Sequence, residues 1–333
     1  MPRSLLILGG TGFVGPALAA EGLARGWAVT TFTRGQRPTS GENVERLHGD
    51  RTQPGAMAAL VARDWDLVLD TWSGAPRVVR DSAQALTGRA GGYVYISSGS
   101  VYAPPVALGV SEDARTVPGS PDAEAGEYAA CKRGAELAVL AAFGARALIL
   151  RSGLILGPGE DVGRLPWWLA RMARGGEVLA PGPPDLGLQM IDCRDLAAFA
   201  LTAGGAGVAG PLNTVSHAGH ATMRSLLEAC REVAAPPGTE LRWLAPAAVH
   251  AAGIEPWIEL PIWIPPGHEA SALHAADVTR AHVAGLRCRP VSETVRDTWA
   301  WLESLPGRPP ARADLPALGL DPERERAALR AAG

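Results

Sequence analysis

The chain has 333 residues, 47% of them apolar, and a formal net charge of −3. This length and apolar share suit one large domain, or two closely joined domains, with a substantial core. The small negative charge offers no basic field to attract nucleic acid, so a nucleic-acid partner is not expected. No apolar run reaches the length of a membrane span, and the first residues do not resemble a signal peptide. We therefore expect no membrane contact.

The four cysteines argue for a reducing compartment. They are far apart and form no CxxC pair, which disfavours both a disulfide framework and a zinc site. We expect a cytoplasmic protein without a metal centre. The cysteines are Cys131, Cys193, Cys230 and Cys288.

Short apolar runs alternate with helical stretches along the first half of the chain. Strands are predicted at 4–9, 27–34, 44–50, 65–72, 91–102 and 145–158, and helices at 16–26, 56–64, 78–88 and 127–144. This alternation predicts a parallel sheet covered on both faces. Because crossovers between parallel strands are right-handed, the predicted fold class is α/β, a doubly wound parallel sheet of the Rossmann type.

A glycine-rich turn joins the first predicted strand to the first predicted helix. Glycine tolerates a tight turn and lets a phosphate approach the backbone, while the helix N-terminus attracts an anion. The spacing "GGTGFVG" therefore predicts that a dinucleotide pyrophosphate binds here. The predicted contact residues are Gly9, Gly10, Thr11, Gly12, Phe13, Val14 and Gly15.

The alternation loosens after residue 158, which indicates a second, smaller unit. We assign residues 1–157 and 188–212 to a dinucleotide-binding Rossmann domain, and residues 158–187 and 213–303 to a C-terminal substrate-binding subdomain. Residues 304–333 are predicted to form a linker and a C-terminal helix. Asp321 is the expected N-cap of that helix, followed by Pro322 in its first turn.

The end of the second strand favours NADP(H) over NAD(H), although NAD(H) stays open. A carboxylate there would bind the ribose hydroxyls and repel a 2′-phosphate. The sequence instead has Thr33 and Arg34, with Arg37 close by. Arginine binds phosphate through charge-assisted hydrogen bonds. Asp50, after the third strand, is either an acceptor for the adenine amine or a turn residue.

A proton-transfer site is predicted where the fifth strand meets the long helix. Tyr128 and Lys132 are four residues apart on that helix and therefore share one face. A phenol has a pKa near ~10, and a neighbouring ammonium lowers it. Such a tyrosine exchanges a proton with a hydroxyl or carbonyl oxygen. The strand-end serines, Ser97, Ser98 and Ser100, can hold that oxygen, although Ser97 also suits a purely structural cap.

These motifs together resemble the extended short-chain dehydrogenase/reductases, often described as NAD-dependent epimerase/dehydratases. The similarity covers roughly residues 1–303 and rests on "GGTGFVG" (9–15), "GD" (49–50), "YISSGSVY" (95–102), "YAACK" (128–132), "RSGLILGPG" (151–159) and "MIDCRDLA" (190–197). The resemblance implies that Ser98, Tyr128 and Lys132 are catalytic and that Lys132 also binds the nicotinamide ribose. It further implies a homodimer formed through the helix of Tyr128.

The cofactor-binding set expected in this way extends beyond the glycine turn. The resemblance places Trp72 and Ser73 near the pyrophosphate and ribose, and Leu154 near the nicotinamide. The expected residues outside the turn are Thr33, Arg34, Asp50, Trp72, Ser73, Ser97, Tyr128, Lys132 and Leu154.

Departures from the family pattern narrow the activity. Sugar-nucleotide dehydratases carry an acid and a base where this chain has Gly99 and Ser100, which disfavours dehydration. Nucleotide-sugar epimerases often carry a phosphate-binding arginine where this chain has Leu188 and Gln189. A nucleoside-diphosphate substrate therefore loses one expected anchor.

The substrate side is less clear from the sequence. Ser100, Trp168 and Gln189 are the candidate substrate residues, although a tryptophan here more often belongs to a core or a subunit contact. His217 and His220 lack partners at metal-ligand spacing. The long segment 103–126 is expected to cover the active site.

Three functions remain open at this stage. The first is an NAD(P)-dependent oxidoreductase that transfers hydride at a hydroxyl or carbonyl carbon of a small polar, sugar-like molecule. The second is an epimerase or isomerase that uses the same residues and retains its cofactor. The third, a non-catalytic RNA-binding protein or sensor of the same fold, is disfavoured by the charge and by the intact Ser98, Tyr128 and Lys132.

Overall fold

The structure, a computed structural model, describes residues 2–36, 43–307, 309–312 and 315–332. Arg37 lies outside these ranges. The first half contains β1 (Ser4–Leu8), α1 (Val14–Ala24), β2 (Ala28–Thr33), β3 (Glu45–His48), α2 (Ala58–Val61), β4 (Trp65–Asp70), α3 (Pro76–Leu86), β5 (Ala90–Ser98), α4 (Tyr128–Phe143) and β6 (Ala147–Ser152). In the described residues, no helix combines the length and apolar character that crossing a membrane requires.

The second half adds shorter strands and more helices. Its elements are β7 (Leu154–Leu156), α5 (Arg164–Ala173), β8 (Glu177–Pro181), β9 (Gly187–Leu188), β10 (Met190–Asp192), α6 (Cys193–Gly205), β11 (Gly210–Thr214), β12 (Ala221–Thr222), α7 (Met223–Ala234), β13 (Glu240–Leu244), α8 (Pro246–Ala251), α9 (Thr279–Val283), α10 (Val291–Ser304) and α11 (Pro322–Ala332).

Seven parallel strands form the central sheet in the order β11-β6-β5-β4-β1-β2-β3. The predicted doubly wound sheet is thereby confirmed. The chain reverses its direction of travel across the sheet between β1 and β4. In such sheets a ligand binds in the crevice at the carboxyl ends of the strands, at this switch point.

The apolar strands are buried on both faces because helices cover each side. Leu5 and Ile7 of β1 belong to the core beneath α1 and α6, whereas Leu6 and Leu8 belong to the core beneath α3 and α4. The alternation of side chains along a strand sends neighbours to opposite faces. The near-continuous apolar run of β1 is therefore what a doubly covered strand requires.

One predicted strand is two strands in the structure. The run 145–158 is divided at Gly153 into β6, in the main sheet, and β7, which pairs with β10 instead. A Cβ at Gly153 would lie 2.8 Å from a methyl of Val215, so a larger residue here would have to displace the Val215 side chain. This division carries the chain out of the sheet towards the second core.

The second core lies among α5, α7, β8 and β13, and it includes the C-terminal tail. Leu320 and Ala328 are buried in it. Glu325 of α11 is also buried and pairs with Arg171 of α5 at 2.7 Å. Asp321 accepts hydrogen bonds from the backbone of the first turn of α11, which confirms the predicted N-cap. The tail is therefore an integral layer of this half of the molecule.

Candidate active site

The glycine turn has the shape that a diphosphate needs. Gly9 and Gly10 have φ values of +111° and +123°, a backbone conformation that residues with a side chain rarely adopt. A side chain at Gly15 would lie 2.3 Å from the Cα of Gly10, so this glycine allows α1 to approach the turn closely. At Gly12, by contrast, a side chain would meet nothing within 4 Å. The turn is therefore packed on one side and open on the other.

The open side of the turn faces the start of α1. No side chain caps this helix at Phe13, so its first N–H groups are not satisfied by a cap. Such a helix N-terminus attracts negative charge through both its dipole and its N–H donors. The residues present thus fit the pyrophosphate of a dinucleotide.

The residues expected at the adenosine end occupy two different environments. Thr33 is buried beneath the turn and its hydroxyl accepts the N–H of Gly35 at 3.3 Å, whereas Arg34 is exposed. Asp50 accepts both the N–H and the hydroxyl of Thr52, at 3.0 and 2.8 Å, and these bonds lower the pKa of its carboxyl group. Asp50 is therefore engaged in a turn, as its structural alternative predicts.

Tyr128 and Ser98 meet at the edge of the crevice. Ser98 is the last residue of β5 and Tyr128 the first residue of α4, and the Ser98 hydroxyl, which donates to that of Ser100 at 3.1 Å, is close enough to act on the phenol. Burial raises the pKa of Tyr128, while the nearby Ser98 hydroxyl and the charges of Arg312 and Arg164 oppose this rise. Half of the tyrosine surface remains exposed to water, so the rise is limited.

Lys132 lies deeper than the sequence suggests. Its ammonium group donates hydrogen bonds to the carbonyls of Trp72 and Ile96, at 2.8 and 2.7 Å, and lies 6.0 Å from the ring centre of Tyr128. Burial lowers its pKa to about 8. The charges of Arg164 and Arg312 also act on the phenol and lower its pKa.

A buried carboxylate fixes α4 to the sheet below the site. Glu136, one turn after Lys132, is fully buried and accepts two hydrogen bonds from Arg151 of β6, both at 3.0 Å. The hydroxyl of Ser97 also donates to Glu136, at 2.7 Å. The Ser97 side chain is thus turned away from the crevice, which agrees with the structural alternative for this residue.

A second buried ion pair supports the turn after β4. Arg51 donates to both carboxylate oxygens of Asp70, at 2.8 and 2.6 Å, and Tyr93 donates to the same carboxylate at 2.5 Å. The other oxygen of Asp70 accepts the N–H of Trp72 at 2.9 Å. This arrangement sets the position of Trp72 and of the exposed Ser73, which are the expected pyrophosphate and ribose contacts.

Two of the three candidate substrate residues are buried and have structural roles, so contact of either with a substrate stays a prediction. Trp168 is fully buried in the second core and its indole N–H donates to the carbonyl of Pro261 at 2.7 Å. Gln189 is also fully buried, and its amide group bonds to the backbone of Ser216 and Ala276. Ser100 alone is exposed, with its hydroxyl 3.1 Å from that of Ser98.

Two arginines whose charges act on Tyr128 were missed by the sequence analysis. Arg164, in the first turn of α5, stacks on the ring of Trp257 at 4.5 Å. Arg312 belongs to the tail, and its N–H donates to the carbonyl of Asp161 at 3.0 Å. Leu154, the expected nicotinamide contact, is buried in β7. No local motif marks either arginine, because their proximity to Tyr128 depends on the path of distant segments.

The sequence analysis also singled out two histidines and the segment 103–126. The rings of His217 and His220 lie 5.4 Å apart, and the described residues contain no group of three metal-ligating side chains that could hold an ion. The segment 103–126 packs against α4, where Gly134 leaves room for the carbonyl of Ser120. Its role as a cover stays a prediction.

Comparison with known proteins identifies the family. The model of the NAD dependent epimerase/dehydratase family matches residues 5–219. The chain belongs to this family. The predicted resemblance is therefore confirmed. The protein is an enzyme that uses a nicotinamide dinucleotide as its cofactor. None of the curated protein sequences compared with the chain matches it.

Solved structures of epimerases share the fold of this family member. The UDP-N-acetylglucosamine 4-epimerase of Methanobrevibacter ruminantium M1, in complex with UDP-N-acetylmuramic acid, is 17% identical with a TM-score of 0.68, and the match covers 91% of this chain and 99% of that one. The Bordetella bronchiseptica enzyme WbmH, in complex with NAD+, is 18% identical with a TM-score of 0.68 and the same coverage. The UDP-glucuronic acid 4-epimerase of Bacillus cereus, in complex with NAD, is 16% identical with a TM-score of 0.63, covering 90% and 99%.

Proposed function

We propose that the protein transfers hydride between a nicotinamide cofactor and a hydroxyl or carbonyl carbon of a small polar substrate. The observation that carries this proposal is the placement of the Ser98 and Tyr128 hydroxyls close together at the carboxyl edge of the sheet. This is where a doubly wound sheet keeps its ligand, and the glycine turn lies at the same edge.

A bound nicotinamide would supply or accept the hydride, and the side chains of this protein hold the substrate oxygen and transfer the proton. Ser98 holds the substrate oxygen beside the phenol. Because burial raises the pKa of Tyr128, the phenol is protonated at neutral pH and can donate its proton to a carbonyl oxygen during reduction. Oxidation of an alcohol needs the phenolate, so its rate should rise with pH. Lys132 positions the backbone beneath the site through its two carbonyl bonds.

Removing the phenol hydroxyl tests this assignment. We expect Tyr128→Phe to abolish turnover while the affinity for cofactor changes little, because the hydroxyl serves the reaction rather than the binding of the dinucleotide. Tyr102→Phe is the matched control, since that hydroxyl is buried and bonds to Asn213 away from the crevice. Turnover by Tyr128→Phe at the wild-type rate would remove the assignment.

The second part of the proposal is a preference for NADP(H) over NAD(H). The exposed Arg34 follows β2 where an NAD-specific site would carry an acid, and its charge is close enough to act on Asp50. We expect Arg34→Ala to weaken NADPH binding at least tenfold and NADH binding only slightly. Arg89→Ala, an exposed arginine elsewhere, is the control. Equal losses for both cofactors would refute the preference for NADP(H).

Epimerisation is the second candidate, favoured by the family and by the epimerases that share the fold. It would use the same Ser98 and Tyr128 but keep the cofactor bound through both half-reactions. Gln189 stands near the position of a phosphate-binding arginine in nucleotide-sugar epimerases, and its amide is fully engaged with backbone. An epimerase should purify with its cofactor and turn over without added NADP(H), whereas an oxidoreductase should consume it stoichiometrically. A homodimer formed through α4 stays a prediction that sedimentation would test.

A further inference from the structure

Two arginines approach the phenol of Tyr128 from the second half of the molecule. The loop before α5 lies against the glycine turn, since a side chain at Gly159 would be 3.7 Å from the ring of Phe13. Arg164 follows this loop, and the backbone of Arg312 is bonded to it at Asp161. Both side chains therefore belong to the wall that faces the nucleotide-binding edge of the sheet.

The guanidinium of Arg164 is placed to bind an anion. Its guanidinium is stacked on Trp257, and its Nε is buried without a hydrogen-bond partner in the part of the chain that the structure describes. A buried unsatisfied donor is uncommon and calls for an explanation. Burial also lowers the pKa of the Arg164 guanidinium, so the fold disfavours its charge unless a counter-charge is present.

Glu160, the carboxylate whose charge acts on Arg164, supplies little of this counter-charge. Glu160 is buried and its oxygens accept the backbone N–H groups of Arg164 and Leu165, at 2.6 and 3.2 Å. Burial raises its pKa to about 7, so the group is close to half protonated at neutral pH. Glu160 therefore serves as the cap of α5 and supplies only part of a negative charge.

The tail that carries Arg312 is firmly attached. Beyond this residue, the N–H of Gly319 donates to the carbonyl of Ile258 at 2.9 Å, and the indole of Trp167 lies where a side chain of Gly319 would be. The buried pair of Arg171 and Glu325 then fixes α11. The backbone of Arg312 is itself held by its bond to Asp161, and its charge acts on both Tyr128 and Lys132.

We propose that Arg164 and Arg312 bind an anionic group of the substrate, a carboxylate or a phosphate, beside the Tyr128 hydroxyl. This inference rests on the proposed hydride transfer at the same site. Arginine matches both groups through paired, charge-assisted hydrogen bonds. The C-terminal tail, which lies far from the nucleotide-binding motifs in sequence, then completes the substrate site. The preferred substrate carries its charge near the reacting carbon.

Binding of simple anions tests the proposal without knowledge of the substrate. Inorganic phosphate and glycolate are titrated at constant ionic strength into the full protein saturated with NADP+, with tryptophan fluorescence as the readout and ethylene glycol as the uncharged counterpart of glycolate. We expect saturable binding of one anion and none of ethylene glycol. Comparison of phosphate with glycolate shows which group the site prefers.

Three variants of the tail and one of α5 locate the binding. Arg312→Met and Arg164→Met should each weaken anion binding on the order of tenfold, because each removes a charged partner. Arg312→Lys retains the charge and should weaken it less. Arg330→Met, an exposed arginine of α11, is the control and should change nothing. Far-ultraviolet circular dichroism confirms that each variant is folded.

The outcomes separate this inference from the proposed function. Equal anion affinity in all variants would overturn the inference. So would a parallel loss of NADP+ affinity in Arg312→Met and Arg164→Met, because the arginines would then serve the diphosphate of the cofactor. Failure of the wild-type protein to bind either NADP+ or NAD+ would instead overturn the proposed function, and anion titration of the protein alone would still test the two arginines.

Discussion

The glycine turn offers a pair of substitutions that separates folding from cofactor binding. At Gly12 an added Cβ meets no atom within 4 Å, whereas at Gly15 it would lie 2.3, 2.6 and 2.7 Å from three backbone atoms of Gly10. Gly12→Ala should therefore change the free energy of unfolding by less than about 0.5 kcal/mol. Gly15→Ala forces the turn and α1 apart and should cost about 1–3 kcal/mol or more.

Cofactor binding should respond in a different order. The open side of Gly12 is where a diphosphate would approach the backbone, so the methyl group of Gly12→Ala should weaken NADPH binding at least tenfold, or about 1.4 kcal/mol. The assay combines denaturant unfolding with a fluorescence titration of NADPH. A Gly12→Ala protein that is stable and binds NADPH as tightly as wild type would refute the assignment of this turn to the cofactor.

Two further predictions concern buried carboxylates. Asp70→Asn leaves the Arg51 guanidinium without its bidentate partner and should lower the free energy of unfolding by about 3–5 kcal/mol. The same change at the exposed Asp66 should cost far less. Similar losses for the two variants in denaturant unfolding would contradict this prediction. Glu160 has its pKa raised from 4.5 to about 7, so the folded protein holds the proton more tightly than the unfolded chain, and stability should fall by up to about 3 kcal/mol as pH rises across that interval. Glu160→Gln should remove this fall, and an unchanged pH profile of unfolding would show that the group is not the cause.

The nucleotide half of the site is predictable because its signals are local. The turn from Gly9 to Gly15 and the neighbouring strands are set by glycine conformations and by apolar runs that no distant residue needs to specify. The helix of Tyr128 and Lys132 is similarly defined by its own sequence. The sequence does not show how deeply the Lys132 side chain is buried. Its ammonium group donates to two carbonyls of other segments, at Trp72 and Ile96.

The burial of Trp168 could be predicted from the sequence, whereas the position of Arg312 could not. Leu165, Trp168, Leu169 and Met172 have the spacing of one helical face, and all four are fully buried, so the pattern already placed Trp168 in a core. No comparable pattern exists for Arg312, because its position depends on how the last residues of the chain pass over the second core.

The charges around Tyr128 affect how the protein selects its substrate. The carboxylates beneath the phenol are already engaged, Glu136 with Arg151 and Asp70 with Arg51, so they contribute little opposing charge to the crevice. Two cationic groups that act on Tyr128, Arg164 and Arg312, come from α5 and the tail. A bound anion would partly offset them and would raise the pKa of the phenol again, which favours the protonated form needed to reduce a carbonyl. Charge on the substrate would thus set both its orientation and the preferred direction of proton transfer, and loss of the Arg312 charge should move the alkaline limb of the oxidation rate to higher pH.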